Sequence, residues 1–277
     1  MKRIAIVTGA SSGMGAEFAR QLGSEPCADE LWLLARRLDR LKEVEAAQNA
    51  ARKENPSLPL ARSFQIDLSG RAGVSAFKAL LDAEKIIDQN GKDGGQGFEI
   101  SVLINNAGFG TYGPFVDTPL ECELDMVELN CVSLTGIAWL ALSYMNKGSL
   151  LINTASLAAF MPLGNFSVYA AAKAYVLSFS VSLAAEVADR GIKVCALCPG
   201  SVSTEFAAVA SNGARKEVLG GKSVQKTVAH CLKAARAGKK TALWALKWKA
   251  TAFLSRFVGR CFVARFTYLK CPRPRKS

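Results

Sequence analysis

Histidine is nearly missing from this chain: His230 is the only one in 277 residues. Zinc sites draw on histidine together with thiolates or carboxylates, so a single imidazole argues against a metal centre. The eight cysteines, at 27, 122, 131, 195, 198, 231, 261 and 271, follow no regular spacing and mostly sit in apolar runs. That favours reduced thiols in a cytoplasmic protein over a disulfide framework. Cys195 and Cys198 form a C-x-x-C, but three positions apart on an expected strand they face opposite sides. Acidic residues stop at Glu217; the fifteen charges beyond it are all Lys or Arg, so the net +12 belongs to the C-terminal end and the body before it is slightly acidic. No linker, low-complexity block or internal repeat divides the chain, and 50% hydrophobic residues suffice for one sizeable α/β core. Long apolar runs are absent too. Met1-Lys-Arg-IAIV opens like a secretory leader, but TGASSGMG breaks the run at once. The uncharged stretch 148–172 is interrupted by Asn153, Pro162, Gly164 and Asn165, which argues against a spanning helix and for a soluble protein.

What is present starts with RIAIV, residues 3–7, a short β-branched run that reads as a first strand. TGASSGMG follows, with Gly9, Gly13 and Gly15, and EFARQL then reads as a helix. Strand, glycine-rich turn and helix is the order in which backbone amides and a helix N-terminus face a pyrophosphate. A tight turn without a ligand is the plainer alternative. ELWLLARR, 30–37, is the second strand, and Arg36 and Arg37 stand where such a site meets the adenosine ribose, with no carboxylate before Asp39. A planar guanidinium suits a 2′-phosphate, which predicts NADP(H) in preference to NAD(H); the alternative is that both arginines open a solvated helix. SFQIDLS, 63–69, reads as a third strand ending at Asp67, near the adenine, with a helix of about twenty residues from Arg71. GKDGGQG, 91–97, is an expected flexible loop. ISVLINNAG, 100–108, is apolar enough for the centre of a parallel sheet, and brings Asn105, Ala107 and Gly108 to its carboxyl edge.

A helix expected over 119–145 carries Asn130 in an otherwise apolar stretch, and a buried amide needs partners. Leu150 to Ala155 reads as a buried strand with Ser156 at its end. The helix after it, FSVYAAAKAYVLSFSVSLAAEVADR, is apolar on nearly every side, which predicts burial in the core or against another subunit. Tyr169 and Lys173 lie one turn apart on it, so they share a face. An ammonium beside a phenol favours the phenolate, and such a phenol trades protons near neutral pH. Ser156 is placed to reach the same oxygen. IKVCALCPGSVSTEF gives a sixth strand with Pro199, Gly200 and Thr204 at the same edge. Residues 205–222 read as a mobile loop, and 223–238 as an amphipathic helix closed by Gly238, with His230 inside it.

Taken together, Thr8-Gly9-x-x-x-Gly13-x-Gly15, Asn105-Asn106-Ala107-Gly108, Pro199-Gly200 and the set Asn130, Ser156, Tyr169, Lys173 resemble the short-chain dehydrogenase/reductase family over roughly Ile4 to Thr204. The resemblance implies a Rossmann-like, doubly wound parallel sheet in a single domain. It also implies roles. Tyr169 is the general acid/base, Lys173 lowers its pKa and binds the nicotinamide ribose, Ser156 orients the reacting oxygen, and Asn130 holds a relay water. Cofactor contacts implied are Gly9, Ser11, Ser12, Gly13, Met14 and Gly15 in the turn, Arg36 joined by Ser11 at the 2′-phosphate with Arg37 next to it, and Asp67 and Leu68 at adenine. Asn106, Ala107 and Gly108 follow on the ribose side, then Pro199, Gly200, Val202 and Thr204 at the carboxamide. Met14 in place of isoleucine and Ser101 in place of an aspartate depart from the pattern away from the chemistry. The family also pairs subunits through its long central helices, which implies a homodimer or homotetramer.

The expected substrate pocket offers Phe109, Tyr112, Leu157, Phe160, Met161, Phe166 and Phe206, and few charges. That suits an apolar ketone or secondary alcohol, such as a hydroxysteroid, a bile acid or a lipid-like carbonyl. Two units are expected: 1–245 as the dinucleotide-binding and catalytic domain, and 246–277 as a basic amphipathic helical extension packed on it. In the extension Phe253, Phe257, Val258, Cys261 and Phe262 fall on one helical face, with Arg256 and Arg260 on another. Such a face covers the pocket or a second subunit, or lies on an anionic membrane surface as in a membrane-surface lipid reductase. Nucleic acid is not expected, since no recognition motif accompanies the charge. A cofactor-binding sensor without turnover is the rival to an enzyme.

Overall fold

The computed structural model describes residues 1–89, 97–215 and 220–276. The loop expected over 91–97 lies, Gly97 aside, outside them. Seven strands, β1 (Lys2–Thr8), β2 (Glu30–Ala35), β3 (Leu60–Gln65), β4 (Phe98–Asn105), β5 (Leu150–Thr154), β6 (Lys193–Leu197) and β7 (Thr241–Ala242), form one sheet in the order β3-β2-β1-β4-β5-β6-β7. Every pairing is parallel. The strand order reverses between β1 and β4, which opens a crevice at the carboxyl ends.

The helices are α1 (Gly13–Leu22), α2 (Leu38–Glu54), α3 (Gly70–Gln89), α4 (Leu120–Val127), α5 (Leu134–Leu142), α6 (Ser167–Glu186), α7 (Phe206–Ala210), α8 (Val224–Arg236), α9 (Leu246–Leu254) and α10 (Arg260–Lys270). They cover both faces of the sheet. Successive residues of β1 point to opposite sides: Ala5 and Val7 pack with Phe18 of α1, Leu41 of α2 and Val228 of α8. Ile4 and Ile6 pack with Phe77 of α3, Ile137 of α5 and Ala184 of α6. The fold class expected from the sequence is therefore the one observed, a doubly wound parallel α/β sheet.

Several boundaries differ from the sequence reading, each for a local reason. β3 begins and ends earlier than expected, so Asp67 lies beyond the strand, where its carboxylate accepts from the Ser69 amide at 3.0 Å. Ser101 is the extra residue of a β-bulge between β1 and β4, and its hydroxyl donates to the Ile4 and Cys27 carbonyls. The single helix expected over 119–145 ends at Leu142 and widens into π-helical turns over Glu128–Ser133, the segment that carries Asn130. The stretch expected as a mobile loop holds α7 and a bridge from Val202 to Lys222; residues 216–219 fall outside the description. β7 had no signal at two residues.

The basic extension is two helices with a turn between them, so the five residues expected on one face do not share it. Phe257 and Phe262 stay 73% and 66% exposed. Other residues of the extension do the packing: Trp248 lies against Gly200, and Tyr268 lies against Gly164 so tightly that a Cβ on that glycine would come 2.7 Å from the Tyr268 Cα.

Candidate active site

At the carboxyl edge of the sheet a cleft of about 620 Å³ runs from the turn after β1 to the extension. The turn takes its form from glycine: Gly9 and Gly13 have φ of +66° and +54°, and a Cβ on Gly15 would sit 2.0 Å from the Gly9 carbonyl oxygen. Ser12 precedes α1 without a side-chain capping bond, so the first-turn amides are left for an anion. Thr8 ties this turn to β4, its hydroxyl accepting from the Asn106 and Ala107 amides, each at 2.9 Å. The Asn106 amide group donates to the Thr8 carbonyl at 3.3 Å, so its side chain braces the turn while it also borders the cleft.

At the far end of the turn the serines have a partner within the chain. Arg37, not Arg36, meets Ser11 and Ser12, with its guanidinium 2.6 Å from the Ser12 hydroxyl, and it pairs with Glu205 at 3.3 Å. Arg36 also borders the cleft, near Asp67. Partial burial pushes the Asp67 carboxyl up, but the Ser69 hydrogen bonds and Arg36 outweigh it and hold it below the usual range. A glycine cradle, uncapped helix amides and two guanidinium groups fit a dinucleotide phosphate chain. The buried indole N–H of Trp248, beside Gly200, has no partner among the described residues.

Deeper in the cleft four side chains converge from separate elements. Asn130, fully buried, donates to the Phe109 carbonyl at 2.8 Å from the widened turn between α4 and α5. Its carbonyl oxygen accepts from the Lys173 ammonium at 3.4 Å, and that ammonium also donates to the Thr154 carbonyl at 2.8 Å. Ser156 accepts from the Ala158 amide at 3.1 Å and hydrogen-bonds the Tyr169 phenol. Lys173 Nζ lies 5.7 Å from the centre of the Tyr169 ring.

The electrostatics run against the simple expectation of an acidic phenol. Burial pushes the Tyr169 hydroxyl up, with the Ser156 hydrogen bond pulling the other way. Burial likewise lowers Lys173, to about 8. Both groups lose water, and the ammonium is turned to backbone and amide oxygens rather than to the phenol. In the protein by itself Tyr169 is a proton donor at neutral pH.

Above these groups lies an aromatic wall. Phe166 stacks on Tyr169 with ring centres 4.1 Å apart, and Phe206 approaches Tyr169 at 5.4 Å. Gly110 permits this, since a Cβ there would come 2.7 Å from the tyrosine ring. Of the residues expected in catalysis or at the cofactor, all border the cleft except Gly15, inside α1, and Asn130, behind Lys173. Phe160 packs instead against the core beneath α6. The sequence reading missed Glu205, Trp248, Thr251 and Arg273. Nothing local marks the last three, which the extension folds back from beyond residue 245.

Residues 3–215 match the family model described as short chain dehydrogenase. An uncharacterized short-chain type dehydrogenase/reductase of Sinorhizobium fredii is 33% identical over 217 residues, 78% of this chain and 35% of that protein. The 17-beta-hydroxysteroid dehydrogenase type 3 of Mus musculus is 28% identical over 217 residues, 76% of this chain and 64% of the enzyme. The chain thus spans about a third of the first relative's length and under two thirds of the second's. A short-chain dehydrogenase from Sphingobium yanoikuyae in complex with NADPH aligns at a TM-score of 0.72, with 26% identity over 93% of this chain and 94% of that one. Solved neighbours of this fold are complexed with NAD as well as NADPH.

Proposed function

This chain belongs to the short chain dehydrogenase family, whose members are oxidoreductases, and we propose that it interconverts a carbonyl and a secondary alcohol on an apolar substrate with NADP(H). The observation that carries the reading is the convergence of Asn130, Ser156, Tyr169 and Lys173 in the cleft that the glycine turn opens. A bound nicotinamide supplies the hydride acceptor or donor. The chain's own residues do the rest. Tyr169 holds the proton that the substrate oxygen gains on reduction, and takes it back on oxidation. Ser156 fixes that oxygen and donates to its developing charge. Lys173, anchored by Asn130 and Thr154, sets the potential beneath the phenol, and Asn130 bridges it to the Phe109 loop.

Preference for NADP(H) rests on Arg36 and Arg37, with Ser11 and Ser12 held beside the second. A bulky ketone suits the wall of Phe166, Tyr112 and Phe206, and hydroxysteroids are the class that the mouse relative's name supports. We read 1–245 as the catalytic unit and 246–277 as its cover. The test is Tyr169→Phe assayed with ketones and hydroxysteroids. Turnover should fall at least a hundredfold while NADPH binding, followed by its fluorescence, stays within about twofold, and the wild type should favour NADPH over NADH. A wild type inactive on every carbonyl, yet binding NADPH, would make the protein a sensor instead.

A further inference from the structure

The extension brings a charge to the substrate side of the cleft. Arg273 borders the cavity, donates to the Gly164 carbonyl at 3.0 Å, and holds its guanidinium carbon 5.1 Å from the centre of the Phe166 ring. Phe166 stacks directly on Tyr169. One aromatic ring therefore separates this cation from the proposed proton donor. Tyr112 meets Phe166 edge-on at 4.9 Å, and two guanidinium groups attend it: Arg273 at 6.0 Å and Arg215 at 5.8 Å. Arg215 also donates to the Pro272 carbonyl at 3.0 Å, which fixes the segment carrying Arg273.

Neither arginine has a carboxylate partner among the described residues. The titratable groups acting on Arg273 are Tyr112, Cys271 and Arg215, and burial lowers its pKa without removing its charge at neutral pH. A guanidinium offers five N–H donors in a planar fork, and one is engaged by Gly164. A half-buried cation beside a like charge, with its remaining donors open to the cleft, is placed to take an anion there. Among the described residues the neighbouring carboxylates turn elsewhere: Glu123 has Thr118 and Arg275, and Glu205 pairs with Arg37.

We infer that Arg273, supported by Arg215, receives a carboxylate on the substrate, so that the molecule turned over is an amphiphile with its carbonyl or hydroxyl at Tyr169 and an acid group at the other end of an apolar body. This rests on the proposed reaction at Tyr169. The aromatic wall takes the apolar body, and the planar fork takes the acid in a bidentate pair that lysine does not reproduce. Placing the acid on the extension makes acid recognition depend on residues 246–277 being docked.

The experiment compares oxo-cholanic acids and long-chain keto acids with their methyl esters, using NADPH and the full chain as wild type, Arg273→Gln, Arg273→Lys and Arg256→Gln. The wild type should prefer acids to esters by tenfold or more in kcat/KM. Arg273→Gln should lower kcat/KM for acids about ten- to a hundredfold, mainly through KM, the size of one charge-assisted contact. It should leave esters within about twofold. Arg273→Lys should recover part of the loss, and Arg256→Gln, on the exposed turn, should change nothing. Equal losses for acid and ester would reduce Arg273 to a pin for the extension, and a wild type indifferent to the acid would equally overturn the inference. If Arg273→Gln does not fold, Arg215→Gln reads the same ratio. If no ketone is reduced, the proposed reaction is what fails. Calorimetry with dodecanoate and NADP⁺ then decides the anion site separately: uptake abolished by Arg273→Gln, weakened by Arg273→Lys and unchanged by Arg256→Gln supports it, and no uptake overturns it.

Discussion

At the scale of single residues, Lys173 shows how burial and function oppose each other. In an unfolded chain a lysine keeps its proton to about 10.5, whereas burial lowers that limit to about 8 in the folded protein. Between those values the unfolded state binds more protons, so folding stability rises with pH across that window. The gain attributable to Lys173 between pH 7.5 and 9.5 is roughly 2 kcal/mol. Urea unfolding at the two pH values should show wild type gaining that much relative to Lys173→Met, whose buried methionine does not titrate. Parallel pH dependence in both would mean that the amine is hydrated and its shift small. Tyr169 contributes in the opposite sense only above pH 10, because its folded-state pKa is raised. A stored, partly desolvated ammonium is also what makes the site responsive to ribose hydroxyls and developing negative charge.

At the scale of elements, irregular segments carry the chemistry and regular ones hold them. The α4–α5 helix opens into π-helical turns where Ser133 donates back to the Glu128 carbonyl at 2.8 Å, and this turns Asn130 toward Lys173. At the opposite edge of the sheet Glu84 of α3 is buried against Lys2 and against Arg62 at 3.0 Å, and Arg62 also meets Glu30 at 2.9 Å. That cluster welds β1, β2, β3 and α3 together far from the cleft. The extension is held differently, by glycines. Gly164 accepts the backbone of α10, its amide donating to the Thr267 hydroxyl at 2.9 Å. Gly164→Ala should lift α10, at about 1–3 kcal/mol for the overlap, and trypsin should cut at Arg260 and Arg265 several times faster than in wild type. An unchanged digestion rate would mean that α10 is anchored elsewhere.

At the scale of the whole molecule two apolar surfaces remain open, and charge separates them. On α4, α5 and α6 the side chains of Leu124, Trp139, Tyr175 and Val181 are exposed, Trp139 by 71%. This face fits a second copy of the chain, as the family's habit of pairing through these helices implies. On the extension Leu254, Phe257 and Phe262 stand out among Arg256, Arg260 and Arg265, a pattern suited to an anionic membrane surface. We propose both contacts, and one sedimentation experiment separates them. Trp139→Glu should convert a dimer to a monomer without altering vesicle binding. Phe257→Glu should abolish co-sedimentation with anionic vesicles and leave the dimer intact. A monomeric wild type would remove the first contact, and a wild type left in the supernatant would remove the second.

Sequence by itself determined the sheet and the floor of the cleft. Glycine spacing, apolar strands and the Ser156, Tyr169, Lys173 intervals are local patterns, and backbone geometry converts them directly into position. Tertiary structure alone decided what local pattern cannot encode. It selected Arg37 over Arg36 as the partner of Ser11, because Glu205 and Ser12 lie across the groove. It raised the phenol instead of lowering it, because burial depends on every neighbour at once. It also brought Trp248 and Arg273 over the cleft, since contacts more than a hundred residues apart in the chain, such as Arg273 with Gly164, form only when the whole sheet is assembled.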